Sequence, residues 1–123
     1  MSDDSNIAAA WIKYQRLPNG SAEQSQLFWA YEQLDAMCRS EPAAAWIVIQ
    51  EIIARDQSDE VLANVGAGPF EDLMVNHGAL LIDKVESCAR MSSDFRRMLG
   101  VVWQNAISDE VWARLKAIAP PSW

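Results

Sequence analysis

The sequence predicts an all-α protein, and three observations support this prediction. Apolar residues recur at helical spacing along most of the chain, beginning with Ile7, Trp11 and Tyr14. Serines that can cap a helix, such as Ser58 and Ser108, precede these apolar stretches. The residues are 50% hydrophobic and 22% charged, which is enough apolar material for a packed core. We therefore predict a compact stack of about six or seven helices, arranged as HEAT-like antiparallel hairpins.

The length and the charge limit the organisation of the chain and its classes of partner. The 123 residues fit a single domain covering the whole chain, with an ordered core over roughly residues 6–118. A net charge of −7 argues against binding to nucleic acid or to an anionic membrane surface. This charge would attract a basic protein, although a solvated acidic surface is the simpler interpretation.

The N-terminus and the cysteines favour a cytoplasmic protein. Residues 1–6 have neither the positive charge nor the apolar run of a signal peptide. No run of about 18 apolar residues is present, so no transmembrane helix is predicted. Cys38 and Cys88 lack the spacing of metal ligands and fall on apolar helix faces, which favours buried, reduced thiols.

Local signals mark the boundaries of the first two helices. Residues 3–5 can cap the first helix, and residues 17–20 form a turn after it. Ser21 and Gln24 then form a capping box, in which the Gln24 side chain reaches back to the backbone of Ser21. The second helix carries its apolar stripe on Leu27, Tyr31, Leu34 and Cys38.

Two tryptophans do not belong to the apolar stripes of their predicted helices. Trp29 is either buried against a second layer of helices or exposed as an aromatic anchor for a protein partner. Trp103 is displaced from the stripe of residues 95–102 and shares a helix side with Arg96. That pair is either a surface cation–π contact or part of an interface.

The middle of the chain contains a predicted break. Residues 45–53 give the third helix an unusually wide apolar face, so we expect that helix to be central. Ser58 caps the fourth helix, and residues 66–69, Gly-Ala-Gly-Pro, must then break or bend it. Either a new helix starts at Pro69 or one kinked element continues, and we favour the kinked element. We expect this element to end at residues 77–78, with the glycine just after the C-cap.

One segment occurs twice in the chain. Residues 58–65, Ser-Asp-Glu-Val-Leu-Ala-Asn-Val, recur at residues 108–115 as Ser-Asp-Glu-Val-Trp-Ala-Arg-Leu. Between them, residues 81–89 form a further apolar stripe, and Ser92 or Ser93 caps the next helix. The spacing is close to the roughly 40–47-residue period of HEAT or armadillo units, which favours stacked hairpins. A good helix start that arose twice is the alternative.

The sequence contains no convincing motif for catalysis or for cofactor binding. The glycines of residues 66–69 lack the lysine of a phosphate-binding loop and follow a helix, so we expect them to serve helix packing. Glu71, Asp72 and His77 have the right chemistry for a metal site or for acid–base catalysis. However, His77 lies about 240° around a helix from Glu71 and about 140° from Asp72. We predict no metal and no cofactor, and we keep a small metal-dependent or acid–base enzyme using these three residues as the alternative function.

Residues 66–78 and 95–103 resemble the motif of a known family. They read Gly-Ala-Gly-Pro-Phe-Glu-Asp-Leu-Met, then His-Gly, then Phe-Arg-x-x-Leu-x-x-Val-Trp. Over roughly residues 27–115 the chain resembles an uncharacterised bacterial family of small helical proteins with the pattern Gly-Ala-Gly-Pro-Leu-Glu-Asp-Leu-Leu and His-Gly. Phe70 and Met74 stand where that family usually has leucine, which should alter packing only. The resemblance implies a compact helical domain and supplies no catalytic assignment for residues of this chain.

The leading functional prediction is a non-enzymatic, cytoplasmic protein-interaction module that binds a basic protein. An inhibitor or immunity-type protein would have these properties. The predicted contact residues are Trp29, Glu71, Asp72, Arg96 and Trp103. A homodimer whose interface covers the extra aromatic residues is a third alternative.

Overall fold

The computed structural model describes residues 3–123, with side chains from residue 6 onward, and this part of the chain is all-α. The described helices are α1 (Asp3–Arg16), α2 (Ala22–Gln26), α3 (Phe28–Ser40), α4 (Pro42–Arg55), α5 (Asp59–Ala67), α6 (Pro69–Met91), α7 (Ser93–Leu99) and α8 (Asp109–Ile118). The predicted class is confirmed, with more helices than the six or seven expected. The predicted cap at residues 3–5 lies outside the described side chains. None of these eight helices combines the length and the apolar character needed to cross a membrane.

α6 is the central helix of the structure. It packs against α3, α4, α5, α7 and α8, whereas α4 packs against α1, α3, α5 and α6. The wide apolar face predicted for α4 is confirmed. Its buried residues are Ala45, Val48, Ile49, Ile52 and Ile53. Trp11 is buried in the same core, and Trp46 and Trp112 pack against it.

The capping predictions are confirmed at four of the described helices. The serine hydroxyl oxygen accepts a hydrogen bond of 3.1–3.4 Å from the backbone N–H three residues later. These serines are Ser21, Ser58, Ser92 and Ser108. Gln24 departs from the predicted box, because its Oε1 accepts the N–H of Gly20 at 2.9 Å rather than that of Ser21.

The predicted second helix is divided at Leu27. Its backbone dihedrals, φ −105° and ψ 2°, end α2 and begin α3. The predicted apolar stripe is therefore only partly correct: Leu34 and Cys38 are buried, whereas Tyr31 is 43% exposed. The buried side of α3 is centred on the line from Ala30 to Leu34, which leaves Tyr31 at its edge.

Two helices, and not one kinked element, meet at Gly68. This residue has φ −124° and ψ −101°, and α6 begins at Pro69. The prediction of one kinked element is therefore wrong. A new helix can begin at Pro69 because proline at the first helical position loses only an N–H that has no partner within the helix. Gly66 has the packing role that was predicted. A Cβ atom at Gly66 would lie 2.8 Å from the carbonyl oxygen of Met98.

α6 does not end at His77 and Gly78 but continues to Met91. His77 has φ −139° and ψ 22°, which puts a kink in the helix at this point. Gly78 does not have the positive φ of a glycine that ends a helix. A Cβ atom there would lie 3.0 Å from Cγ1 of Val111, so this glycine allows α8 to approach α6 closely. The predicted helix end is wrong because a tertiary contact, not a turn, requires the glycine.

The repeated segments begin α5 and α8, but the two surroundings differ. α7 has 7 residues, against 14 in α4, and it ends at Leu99. α8 packs chiefly against α6 and has little contact with α7. The HEAT-like arrangement of repeated hairpins therefore stays a prediction.

Candidate partner-binding surface

The outer side of α3 exposes three aromatic side chains. Phe28, Trp29 and Tyr31 are 42%, 46% and 43% exposed. Between them Ala30 is fully buried, so the helix is anchored on its inner side while the rings remain accessible. Trp29 is therefore not covered by a second layer of helices within the described chain.

Two of the rings on α3, Phe28 and Tyr31, are held in position by each other and by α1, whereas Trp29 shares with them only the groove along α3. Phe28 and Tyr31 stack with centroids 5.6 Å apart and an interplanar angle of 15°. Tyr14 of α1 lies 6.0 Å from the Phe28 ring and 5.8 Å from the Tyr31 ring. Ring pairs at such distances attract each other. We call Tyr14, Phe28, Trp29 and Tyr31 the aromatic face.

Carboxylates border the aromatic face. Glu32 is exposed one helical turn after Trp29, and both residues line an open groove of about 560 Å³ along α3. Asp35 lies one turn after Tyr31 and forms an ion pair with Arg39 on the same helix. The aromatic face is thus mainly acidic at its border.

Asp72 brings a further carboxylate from the first turn of α6. Partial burial raises the pKa of Asp72, and the charges of Asp35 and Glu71 and a hydrogen bond with Asp35 raise it further. Arg39 opposes these effects without cancelling them. Negative charge is therefore concentrated where α3 meets α6.

A small cavity lies at this junction of α1, α3 and α6. Its volume is about 30 Å³. It is lined by Trp11, Tyr31, Leu34, Asp35, Gly68, Pro69 and Asp72. We call it the Asp35–Asp72 notch, since these two are its carboxylates and the other lining residues are apolar or aromatic.

The structure does not bring Glu71, Asp72 and His77 together as a catalytic or metal-binding trio. Glu71 Oε2 accepts a hydrogen bond of 2.8 Å from Asn105, and His77 Nε2 donates one of 2.8 Å to the carbonyl oxygen of Arg39. Asp72 lines the notch. Among the residues from 6 onward, no group of three His, Cys, Asp or Glu side chains is arranged to hold a metal ion.

The expected pairing of Arg96 with Trp103 is wrong. Because α7 ends at Leu99, Trp103 follows the helix instead of lying on it, and it is 70% exposed. Arg96 Nε instead donates a hydrogen bond of 3.0 Å to the carbonyl oxygen of Ile118, which links α7 to the end of α8.

Other aromatic residues near Trp103 do have cations beside them. The Arg97 guanidinium lies 5.4 Å from the Trp123 ring, and the Lys116 ammonium lies 5.7 Å from the Trp112 ring. The Trp123 indole also donates a hydrogen bond of 2.6 Å to the Arg97 carbonyl oxygen, so the end of the chain is docked on α7. We call Trp103, Trp112, Lys116 and Trp123 the C-terminal face.

The cysteines offer no reactive thiol. Burial, followed by the charges of Asp72 and Asp35, raises the pKa of Cys38 to about 12, and its Sγ donates to the Pro69 carbonyl oxygen at 3.2 Å. Burial also raises the pKa of Cys88, which is half-buried. Both thiols are free, and the predicted burial is correct for Cys38 but not for Cys88.

Comparison with known proteins identifies the family. A family model described as Family of unknown function (DUF6869) matches residues 18–121. The chain belongs to this family. No curated protein and no solved structure shows significant similarity to the chain.

The DUF6869 region contains α2 to α8 and with them most of the surface described above. Tyr14 of the aromatic face and Trp11 of the notch lie before it. The sequence interpretation missed Phe28 and Asp35 as members of this surface. The available signal was the run Phe-Trp-Ala-Tyr at residues 28–31, since three aromatic residues in four cannot all face one core.

Proposed function

We propose that this protein is a non-enzymatic protein-interaction module that binds a basic protein partner through the aromatic face and its bordering carboxylates. The proposal includes the bacterial origin, the cytoplasmic location and the inhibitor or immunity-type role expected from the sequence. In that role, the acidic surface would mask a basic surface of the partner.

The observation that supports the proposal most strongly is the ordered exposure of Phe28, Trp29 and Tyr31. Tryptophan and tyrosine are enriched among the residues that contribute most to protein–protein binding. Phe28 and Tyr31 are already stacked and lose little conformational freedom when a partner covers them, so more of their contact energy remains for binding.

The charge around these rings supports a basic partner. Among the described residues, neither Glu32 nor Asp72 forms an ion pair. A cation from a partner would therefore meet carboxylates that have no cation of their own. The net charge of −7 would also accelerate the association of a basic protein, with an effect that falls as salt is added.

The predicted contact residues divide between two surfaces. Trp29 and Asp72 belong to the α3 side, and Glu71 lies beside Asp72. Arg96 on α7 is already bonded to Ile118, and Trp103 follows α7, where the neighbouring Asn105 is bonded to Glu71. We therefore place the main contact at the aromatic face and treat Trp103 as a separate surface.

Affinity capture from the native lysate tests this proposal. The tagged protein is expected to retain a basic protein at low salt and to lose it at high salt. The double variant Trp29→Ala, Glu32→Gln should fail to retain that protein. The double variant Leu80→Ala, Glu110→Gln, which changes one exposed apolar residue and one exposed glutamate elsewhere, should retain it.

Two results would contradict the proposal. One is a captured protein that is acidic or that survives high salt unchanged, and the other is equal loss in both double variants. Light scattering of the purified protein decides the remaining alternative. A stable dimer that the Trp29→Ala, Glu32→Gln variant dissociates would mean that a second copy, and not a basic partner, covers the aromatic face.

A further inference from the structure

We propose that the aromatic face binds a lysine-rich segment of the partner, with one lysine ammonium group inserted into the Asp35–Asp72 notch. This inference rests on the proposed function and adds the chemistry of the bound segment. It follows from the shape of the notch, from the position of its carboxylates and from the rings beside its entrance.

The size of the notch favours lysine over arginine. A cavity needs roughly 10–15 Å³ of space, measured for the centres of water-sized probes, to hold one water molecule. The notch offers about 30 Å³ by that measure, which accommodates an ammonium group and the adjoining methylene group. A planar guanidinium group is wider than an ammonium group and needs more space than the notch offers, although the two carboxylates could accept its N–H groups.

The walls of the notch suit the two parts of a lysine side chain. Trp11 and Leu34 are almost fully buried beneath the notch, so the methylene groups would contact chiefly the exposed ring of Tyr31. Asp35 and Asp72 would accept hydrogen bonds from the ammonium group. Tyr31 lies at the border between the notch and the aromatic face, so a segment that enters the notch must also cross the rings.

The carboxylates in and beside the notch repel one another when no cation is bound there. Burial and the neighbouring charges of Asp35 and Glu71 raise the pKa of Asp72. An inserted ammonium group would relieve this repulsion and lower that pKa. Arg39 is the only basic side chain that contributes to the pKa shift of Asp72, and it already pairs with Asp35.

The Arg39 ion pair does not close the notch. The Arg39 side chain is 58% exposed, and its partner is on the same helix, four residues earlier. Exposed pairs of this kind are weak. His77 does not compete either, because its Nε2 atom is bonded to the Arg39 carbonyl oxygen. The ammonium group of an incoming lysine can therefore contact Asp35 together with Arg39, and it can form an ion pair with Asp72.

A second basic residue of the segment would lie over Trp29. Glu32 is one turn away on the same exposed side of α3, so a cation over the Trp29 ring would also be near a carboxylate. A segment with several lysines satisfies both positions, whereas a single isolated lysine satisfies only one.

Three matched peptides test the proposal on the unmodified protein. Each has several basic residues separated by glycine and serine: one contains lysine, one arginine and one acetyl-lysine. Titration of the ¹⁵N-labelled protein at low salt should shift the amide signals of residues 28–36 and 68–72 with the lysine peptide. We expect the lysine peptide to bind at least threefold more tightly than the arginine peptide, and the acetylated peptide not to bind.

Two aspartate variants locate the effect. Asp72→Asn should weaken binding of the lysine peptide about fivefold or more. Asp94→Asn, which removes one carboxylate from α7, should weaken it less than twofold. Arg39→Ala removes the resident cation and should strengthen it. Unfolding temperatures measured in parallel show that each variant remains folded.

The possible results separate this inference from the proposed function. Equal binding of lysine and arginine peptides, or equal loss in both asparagine variants, overturns insertion into the notch. Equally tight binding of spermidine would show that free amines suffice and would overturn recognition of a protein segment. If no peptide shifts residues 28–36 while lysate capture still depends on Trp29 and Glu32, the inference fails and the proposed function stands. If lysate capture fails as well, both fail.

Discussion

The aromatic face on α3 and the C-terminal face contain the same kinds of residue in opposite electrostatic settings. At the C-terminal face, Arg97 lies over Trp123 and Lys116 lies over Trp112. At the aromatic face, none of the described cation–π contacts occurs, and the neighbouring charges are the carboxylates of Glu32 and Asp35 and the guanidinium of Arg39, which pairs with Asp35. Trp112 and Trp123 of the C-terminal face already have cations, whereas the rings of the aromatic face lie mainly beside acids.

The difference indicates that exposure alone does not identify a binding surface. Trp103 is 70% exposed, more than Trp29 at 46%, and exposure by itself would favour the C-terminal face. Yet Trp112 and Trp123 of that face already have partners within the chain, including the hydrogen bond from Trp123 to Arg97. Unsatisfied charge beside stacked rings is the more specific indication, because it also states which chemistry would complete the surface.

The largest expected effect comes from removing one tryptophan from each face. Trp29→Ala should weaken binding of a captured basic partner about 30-fold, or about 2 kcal/mol, as expected for a central aromatic contact. Trp103→Ala should change that affinity less than about twofold. Calorimetric titration of both variants measures the effect. A larger loss for Trp103→Ala would reverse the comparison between the two faces.

The next largest expected effect is a loss of stability at the C-terminal face. Arg97 pairs with Asp59, donates a hydrogen bond of 2.7 Å to the Gln57 carbonyl oxygen and lies over Trp123. Arg97→Ala should therefore lower the free energy of unfolding by about 1.5 kcal/mol without changing peptide binding at α3. Urea denaturation measures the loss. Arg90→Ala is the matched control, because its described hydrogen bond is a long one of 3.4 Å to Ser87, and the expected change is below about 0.5 kcal/mol.

The smallest effect is the pH dependence that Asp72 contributes to stability. Its raised pKa means that the folded state binds a proton more tightly than the unfolded state. This contribution to stability is fully present below the unfolded pKa of about 3.9 and is lost as the pH rises through the folded pKa. As the pH rises from 3.5 to 7, the free energy of unfolding of Asp72→Asn should therefore increase by about 0.3 kcal/mol relative to that of the parent. The value is small because the carboxyl remains partly solvated.

Denaturation of the parent, of Asp72→Asn and of Asp94→Asn at these two pH values measures the gain. Asp94→Asn supplies the background for losing one carboxylate on α7. If the free energy of unfolding of Asp72→Asn instead fell relative to the parent, the Asp72 carboxylate would interact favourably with the start of α6, and this interaction would outweigh the repulsion at the notch. The variant would then lose stability and binding together, and weaker peptide binding would no longer report on the notch alone.

The sequence predicts the parts of this fold that local chemistry determines. Serine side chains that accept a nearby N–H mark where α5 and α8 begin, and the apolar spacing of residues 45–53 identifies the buried face of α4. Features that depend on contacts between distant segments are not predictable in this way. Gly78 looks like a helix end in sequence, and only the approach of Val111 explains why α6 continues through it.

The candidate surface also has features that local sequence predicts and features that depend on contacts between distant segments. The displacement of Trp29 from its stripe can be read from helical periodicity, and its exposure agrees with one of the two interpretations. The notch cannot be read in this way, because Asp35 and Asp72 are separated in sequence and meet only through the packing of α3 against α6. Tyr31 was assigned to the core because the division of the helix at Leu27 has no strong local signal.

Amide chemical-shift mapping with the lysine peptide tests the central claim most directly, because it compares the two faces in one experiment. Binding at the aromatic face predicts shifts at residues 28–36 and 68–72, with residues 109–119 unchanged. A small shift near Asn105 is compatible with this prediction, because Asn105 is bonded to Glu71. Shifts confined to residues 99–119, or spread evenly over the acidic surface, would contradict a specific basic-segment site on α3.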